Sequence, residues 1–190
     1  ASRCRDQERE FVGFDLGASQ PTIIATLAGN EAMLTDCCSG KFYSEIQELL
    51  GVDKDAAKRA CFAYAFGPNR TARTKHRAAL TVQQHIRRAY PEVAHYVWAA
   101  KDNKAVYNYY KRFARLLQNK EATIFLGGIF QELIQKDIPA LTIHDAVYLP
   151  KSCAVLGQEI MTRHLDGTIG RGKYRLDKIQ EKAQNAKILI

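Results

Sequence analysis

The sequence lacks the features of membrane-spanning, disulfide-rich and repeat proteins. No apolar run approaches the roughly 20 residues that a membrane span needs, and no signal-peptide pattern occurs. The five cysteines are an odd number without a CxxC pair, which argues against a disulfide framework or a zinc site. Internal repeats and low-complexity tracts are also missing. We therefore expect reduced thiols, a cytoplasmic or other reducing compartment, and no membrane partner.

What the sequence has instead is positive charge on a chain of ordinary globular composition. Its 190 residues fit one domain, or one domain with a modest subdomain. Lys and Arg number 28 against 20 Asp and Glu, so the net charge is +8. This excess suits a partner with a phosphate backbone, although a basic solvated surface would give the same balance. The candidates for contacts with a nucleic-acid backbone are Arg70, Arg73, Lys75, Arg77, Arg87 and Arg88.

Two apolar segments, far apart in the sequence, each present a carboxylate at the end of a predicted strand. Residues 11–14 form an apolar run that ends at Asp15. Residues 140–149 predict two short strands joined by a tight turn, with His144 and Asp145 at its tip. Two such carboxylates brought together can clamp a divalent metal for phosphoryl or nucleotidyl transfer. Taken singly, each aspartate could instead cap a turn or a hairpin.

Between these segments lies a predicted helix with the sequence KDAAKRACFAYAFG. Asp53 is a good N-cap for this helix, and Gly67-Pro68 predicts its end. The helical period of 3.6 residues places four side chains along one slowly drifting stripe: Lys54, Lys58, Phe62 and Phe66. Two cations followed by two rings can hold a triphosphate at one end and stack a base at the other. Solvated lysines and core-packed rings are the alternative interpretation of this stripe.

The remaining pattern predicts an α+β fold, with most helices inserted between the strands of a small sheet. The expected helices cover residues 22–27, 42–50, 54–66, 92–117, 121–136 and 153–165. The tail from Gly167 onward is polar and basic, and no element is predicted there.

In their order, these segments resemble the three signature blocks of family A DNA polymerases, the DNA polymerase I-like enzymes, although the stretch between the second and third blocks is shorter than in the family. The middle block is the most specific, since it consists of a basic residue, a Lys, a Phe and a closing aromatic-Gly pair at four-residue intervals. Those places are filled by Lys54, Lys58, Phe62 and Phe66-Gly67. The family usually has Arg at the position of Lys54 and Tyr at the position of Phe66.

The first and third blocks match at their aspartates and depart beside them. Asp15 matches the aspartate of the first block, but Gln20 stands where the family normally has a Glu that shields the site from a ribose 2′-hydroxyl. His144-Asp145 matches the third block, in which a Glu commonly follows the aspartate, and Ala146 follows it here. The resemblance spans about residues 11–150.

The resemblance implies a polymerase palm, built on a small antiparallel sheet, with an inserted helical fingers subdomain. The chain would be a single polymerase catalytic region over residues 1–190, with the palm at about 11–40 and 137–190 and the fingers helices at about 41–136. We expect no thumb or exonuclease domain in this chain, because the first carboxylate lies so near its start. It would then be either a piece of a larger polymerase or a pared-down relative.

The same resemblance implies a two-metal catalytic centre. Asp15 and Asp145 would be its carboxylates, the backbone carbonyl of Leu16 would be a further metal ligand, and the cofactor would be two Mg²⁺ ions, for which Mn²⁺ is a possible substitute. Lys58 would be the third catalytic residue, neutralising charge that builds on the phosphates of the incoming nucleotide. Lys54 would bind the outer phosphates.

Further roles follow for the nucleotide and the primer. Phe62 and Phe66 would pack against the incoming sugar and the template base, and Gln20 would lie at the sugar. His144 would lie near the primer end. In the resembled family, a helix before the third block contacts the minor groove. Gln118 and Asn119 lie in the corresponding region of this chain.

The predicted function is template-directed addition of dNTPs to a primer 3′-hydroxyl, in DNA replication or repair. Expected partners are a primed DNA template, dNTPs and, on separate chains, a thumb, an exonuclease or a replication protein. The alternatives are a single-subunit RNA polymerase or primase-like enzyme with relaxed sugar selection, and a polymerase-derived nucleic-acid-binding module. FVGFDLGASQPTI also resembles the first phosphate loop of sugar-kinase and actin-like ATPases, but their second loop is missing. An RNase H-like nuclease would leave the stripe unexplained.

Overall fold

The computed structural model describes residues 10–69, 77–102 and 109–180, with Gln180 described by its backbone alone. The fold is α+β and mostly helical, with one small antiparallel sheet of four strands. The strands are β1 (Phe11–Leu16), β2 (Leu141–Ile143), β3 (Ala146–Pro150) and β4 (Leu176–Gln180), and their spatial order is β2-β3-β1-β4. The predicted fold class is confirmed at this level.

Most of the described helices lie between β1 and β2 in the sequence. They are α1 (Ser19–Ala28), α2 (Glu31–Ser39), α3 (Lys41–Leu50), α4 (Lys54–Phe66), α5 (Arg77–Ala89), α6 (Pro91–Lys101), α7 (Tyr110–Ala122) and α8 (Gln131–Gln135). A π-helical segment, Thr123–Phe130, joins α7 to α8 without a break. A 3₁₀ turn, Lys151–Cys153, and α9 (Ala154–Thr168) follow β3.

The central strand β1 pairs with a neighbour on each side. Its apolar side chains Val12, Phe14 and Leu16 are each at most 3% exposed, as a short continuous apolar run predicts for a strand inside a sheet. In the antiparallel register, Asp15 lies opposite Ala146 of β3 and opposite Asp177 of β4. The end of β1 is therefore the place where three segments of the chain meet.

Side-chain caps fix the starts of two helices, α4 and α2. The carboxylate of Asp53 accepts a hydrogen bond from the Ala56 amide at 2.7 Å, which confirms the predicted N-cap of α4. The side chain of Asn30 caps α2 in the same way, accepting from the Met33 amide at 2.8 Å. The first residue of α4, Lys54, is thereby held at a defined helix start.

Several predicted boundaries are wrong. No helix was expected at α2 or α5, and no strand at β4. The helix predicted over 92–117 is not continuous, because α6 ends at Lys101 and the next residue, Asp102, has an extended backbone. A helix start was predicted near 121, but α7 continues from Tyr110 through that point into the π-helical segment. In α5 the buried Ala79, Val82 and Ile86 do recur with helical spacing, but they are few among the charged and polar residues of this segment.

The C-terminal end of α4 is held by a buried lysine of α6. The ammonium of Lys101 donates hydrogen bonds to the carbonyls of Tyr64 and Gly67 and lies 5.0 Å from the centre of the Tyr64 ring. These carbonyls would otherwise lack partners at the helix end. Lys101 is 5% exposed, and burial lowers its pKa to about 8.

In the C-terminal part of the fold, α9 packs against β3 and α8. Among the contacts with α8, the carboxylate of Glu132 accepts from the guanidinium of Arg163 and lies 2.9 Å from Nε2 of His164. Gly157 of α9 faces Leu149 of β3 so closely that a methyl group at its Cα would overlap the leucine side chain.

The thiols differ from the expectation at one position. Cys37, Cys38 and Cys61 are free, as expected, but Cys153 is disulfide-bonded. The expectation that every thiol is reduced is therefore wrong, because sequence spacing does not reveal pairings between distant cysteines. Within the described residues, no helix is long and apolar enough to cross a membrane.

Two glycines of α9 give a matched test of this packing. Gly157→Ala should lower the free energy of unfolding by about 1–3 kcal/mol, because the new methyl group overlaps Leu149. Gly167→Ala, in the same helix with nothing within 4 Å, should raise it by about 0.5–1 kcal/mol. Urea unfolding of both variants measures the difference, and equal effects would contradict the contact.

The buried Lys101 predicts a pH dependence of stability. Its pKa is about 8 in the folded chain against an ordinary 10.5, so the unfolded chain binds more protons between these values. The free energy of unfolding should therefore rise over this window, by at most about 1.4 kcal/mol per pH unit, relative to Lys101→Met. The neutral amine still donates to both carbonyls. If the free energies of unfolding of the two proteins change with pH in parallel across this window, the lowered pKa of Lys101 is refuted.

Candidate active site

Sheet pairing brings Asp15 and Asp145 to one end of the sheet. Asp145 lies in the turn between β2 and β3, and its carbonyl accepts from the Leu16 amide at 3.2 Å. The neighbouring His144 is exposed and has a positive φ of 55°, the left-handed backbone of a tight turn. The predicted hairpin with the carboxylate at its tip is what the structure contains.

The electrostatics of Asp15 show that negative charge accumulates at this end of the sheet. Partial burial, followed by repulsion from Asp145 and Asp177, raises the pKa of Asp15 to about 6. The ammonium of Lys58 and the guanidinium of Arg175 act in the opposite direction but do not compensate. A bound cation would relieve this repulsion.

The third carboxylate, Asp177, already has its cation. Nε of Arg175 lies 2.8 and 3.0 Å from the two oxygens of Asp177, and Nη2 lies 2.9 Å from one of them. The guanidinium also lies against Gly17 and Gly40, where an added Cβ would stand 2.9 and 2.7 Å from its nitrogens. At this end of the sheet, Asp15 and Asp145 form no ion pair with any of the described residues, and Lys58 offsets the charge of Asp15 only in part.

The donor set for a metal is small. Among the described residues, no group of three or more His, Cys, Asp or Glu side chains has an arrangement that could hold a metal ion. Two carboxylates and a backbone carbonyl nevertheless fit Mg²⁺, which prefers oxygen ligands and usually keeps several waters. The side chain of Leu16 is 1% exposed, so this residue can contribute only through its backbone.

Helix α4 carries its predicted stripe past the carboxylates. Lys58 is half-buried and close enough to Asp15 to affect its pKa, whereas Lys54 is exposed one turn earlier. The rings of Phe62 and Phe66 stack nearly parallel, 5.7 Å apart at 19°, and Phe62 is 40% exposed. Phe66 is partly buried against the core, so core packing explains this ring but not the exposed ring of Phe62 in line with two cations.

Lys54 also lines an open cavity of about 650 Å³ at the start of α3. Lys41 and Arg175 contribute to its wall, and Gly40 precedes the first turn of the helix. Lys41 is partly neutralised by Asp36 and Glu45, at 3.5 and 3.1 Å. The amides of a helix N-terminus and these cations form a surroundings suited to phosphate oxygens.

A further carboxylate, which the sequence did not reveal, reaches the site from α7. Oε1 of Glu121 accepts from the Gln20 amide nitrogen at 2.8 Å and from the Ser19 hydroxyl at 3.0 Å. Burial raises the pKa of Glu121, and repulsion from Asp145 adds to the effect, while the Ser19 and Gln20 hydrogen bonds lower it. The amide oxygen of Gln20 is buried and has no hydrogen-bond partner among the described residues.

The other predicted binding residues are only partly placed. Arg70, Arg73 and Lys75 lie outside the described residues. The remaining basic candidates are exposed on α5 and the polar candidates are exposed on α7: Arg77, Arg87, Arg88, Gln118 and Asn119. Arg175, Asp177 and Glu121 were missed, because each reaches the site through contacts between residues about 100 or more positions apart.

Comparison with known proteins places the fold among polymerase domains. No protein-family model and no curated protein matches the sequence. One similar solved structure is the POL domain of Pol1 from M. smegmatis, in complex with DNA primer-template and dNTP, at a TM-score of 0.61 and 11% sequence identity. The match covers 94% of this chain and 40% of that chain. At this identity the likeness establishes the fold alone.

The Gln20–Glu121 contact can be tested by a double-mutant cycle. Gln20→Ala and Glu121→Ala should each lower the free energy of unfolding and should be coupled by about 0.5–3 kcal/mol, because one hydrogen bond joins a partly buried carboxylate to an amide. Asn119→Ala, exposed on the same helix, serves as the control partner and should show no coupling to Gln20. Additive effects of Gln20 and Glu121 would disprove the contact.

Proposed function

We propose that the chain is a template-directed nucleotidyltransferase, the catalytic region of a DNA polymerase that adds dNTPs to a primer 3′-hydroxyl. The observation that carries the proposal is the meeting of Asp15, Asp145 and Lys58, whose charges act on one another at one end of the sheet. The similarity of the fold to the POL domain supports it. The neighbour's DNA primer-template and dNTP indicate the substrates to test.

In this proposal the sheet and α9 form the palm, and the inserted helices form the fingers. The palm comprises about residues 11–40 and 137–190, and the fingers comprise about 41–136, within a single catalytic region. A thumb or exonuclease function would come from another chain or from another part of a longer protein.

Asp15, Asp145 and the Leu16 carbonyl would hold the metal. Mg²⁺, or Mn²⁺ in its place, would lower the pKa of the primer hydroxyl and offset charge on the phosphates. The carboxylates fit this role because their mutual repulsion is uncompensated within the described chain. His144, exposed beside Asp145 in the turn, would lie near the primer end.

The incoming nucleotide would lie along α4. Lys58 would neutralise charge on its phosphates, and Lys54 would hold the outer phosphates at the cavity by the start of α3. Phe62 and Phe66 would stack with the base and pack against the sugar, a contact worth about 1–3 kcal/mol per base. The order of cations and rings along the helix thus matches the order of triphosphate and base in the substrate.

One observation favours an enzyme with relaxed sugar selection as the second candidate. The Gln20 amide nitrogen is engaged by Glu121, which leaves its buried oxygen able to accept a hydrogen bond. A ribose 2′-hydroxyl is such a donor, and Gln20 stands where the resembled family has a Glu that shields the site from this hydroxyl. A single-subunit RNA polymerase or primase-like activity would therefore appear as use of rNTPs.

Primer extension on a primed DNA template with Mg²⁺, with dNTPs and rNTPs supplied separately, tests the proposal. Asp145→Asn should lower extension by more than ~100-fold, because it removes a carboxylate that acts on the reacting groups. Asp137→Asn is the matched control, since Asp137 is exposed with a positive φ that asparagine tolerates, and should leave extension unchanged.

The outcomes separate the candidates. Extension with dNTPs alone supports a DNA polymerase, and equal use of rNTPs supports the second candidate. Full activity of Asp145→Asn would remove Asp145 from the catalytic centre. Binding of primed DNA without extension, under all nucleotide conditions, would favour a polymerase-derived binding module.

A further inference from the structure

A second pocket lies away from the stripe of α4. It has a volume of about 260 Å³ and is bounded by α5, α6 and the residues that follow α4. Tyr64 forms part of its wall, and this residue stands about 200° around the helix from Phe62. The pocket and the Lys58–Phe62–Phe66 stripe therefore occupy different faces of α4.

The wall of the pocket combines one exposed ring with polar and charged groups. Trp98 is 42% exposed and shares a face of α6 with His95, three residues earlier. Gln83 and Arg87 stand four residues apart on α5 and line the opposite side. An indole, a guanidinium, an imidazole and an amide thus converge on one opening.

The backbone of the tryptophan and the neighbouring wall of the pocket are held by defined contacts. The side-chain amide of Asn69 donates to the backbone carbonyl of Trp98 at 2.9 Å and forms part of the pocket wall. Tyr64, which also lines the pocket, is held by Lys101, whose ammonium donates to the Tyr64 carbonyl and lies 5.0 Å from the centre of its ring. These contacts hold the wall beside the exposed Trp98 ring in place.

We propose that this pocket binds one unpaired base of a single-stranded nucleic acid, stacked on Trp98, with Arg87 at the adjacent phosphate. Base–aromatic stacking tolerates any sequence, and a neighbouring arginine supplies both charge and a planar partner. The side-chain amide of Asn69, whose nitrogen donates to the Trp98 carbonyl, also carries an oxygen that can accept from a base edge. Positive charge continues along α5 through Arg77 and Arg88, which complements the strand's phosphates.

A paired duplex does not satisfy this site, because its bases are stacked inside the helix and unavailable to the indole. The proposal goes beyond nucleotide addition, since it concerns a separate face and requires no chemistry at Asp15 or Asp145. In a polymerase, the unpaired part of the template would be the natural occupant. Binding can therefore be measured whether or not the chain extends a primer.

Trp98 is the only tryptophan in the chain, so its fluorescence reports on this pocket alone. Titration with a decathymidylate should quench the emission to saturation, and a blunt duplex of equal length should not. Arg87→Ala should weaken the quench affinity by ~5–10-fold at moderate salt. Arg88→Ala removes the same charge from the next residue, outside the pocket, and should weaken affinity by only about 2-fold, because it loses general attraction to the phosphates and no contact in the pocket.

A second measurement avoids dependence on the reporter. Anisotropy of a labelled decathymidylate should show ~10-fold weaker binding to Trp98→Leu, with the circular dichroism of the protein unchanged. If Trp98→Leu does not fold, the comparison of Arg87 with Arg88 decides the question.

Three results would overturn the inference. Equal losses in Arg87→Ala and Arg88→Ala would reduce the binding to general electrostatic attraction. Equal quenching by the blunt duplex would show that no unpaired base is needed. Saturation by thymidine monophosphate at the same concentration as the oligonucleotide would make the pocket a mononucleotide site and not a strand site.

Discussion

The pairing of β1 with β3 on one side and β4 on the other determines the chemistry available to this chain. Each of the three strands ends or begins beside a charged residue: Asp15, Asp145 and the Arg175–Asp177 pair. The register brings these groups to the same end of the sheet, although more than 100 residues separate the first strand from the others. The helices between these strands add Lys58 and Glu121. These two side chains interact electrostatically with Asp15 and Asp145 because the sheet holds both carboxylates at one end.

The parts of the site that the sequence predicted are those written in local pattern. Asp15 ends an apolar run and Asp145 stands at a hairpin turn, while the stripe of α4 follows from helical spacing and a capping residue. The paired Arg175 and Asp177 escaped because β4, at the sheet edge, is short, and its two adjacent charged residues break the alternation that would indicate a strand. Glu121 escaped for another reason, since its partner Gln20 lies on a different helix and no spacing connects them.

The site also shows how one carboxylate can be replaced by another from elsewhere in the chain. Position 20 carries an amide where the resembled family has an acid, yet an acid is still present, because Glu121 projects from α7 to the same place. The surroundings of the two acids are not equivalent. Glu121 is held by Ser19 and Gln20, so the polar atom that has no partner among the described residues is the buried amide oxygen of Gln20 and not a carboxylate.

The π-helical segment gives the long helix two working faces. Glu121 and Glu132 are eleven residues apart, which makes about three turns of a regular α-helix and would put both on the same side. The wider turns of Thr123–Phe130 rotate them apart. Glu121 accordingly meets Gln20 near the end of the sheet that carries Asp15 and Asp145, and Glu132 meets Arg163 and His164 of α9. One continuous helix thus joins the inserted helices to the C-terminal part of the fold, so a rigid movement of this helix would displace the contacts at both of its ends.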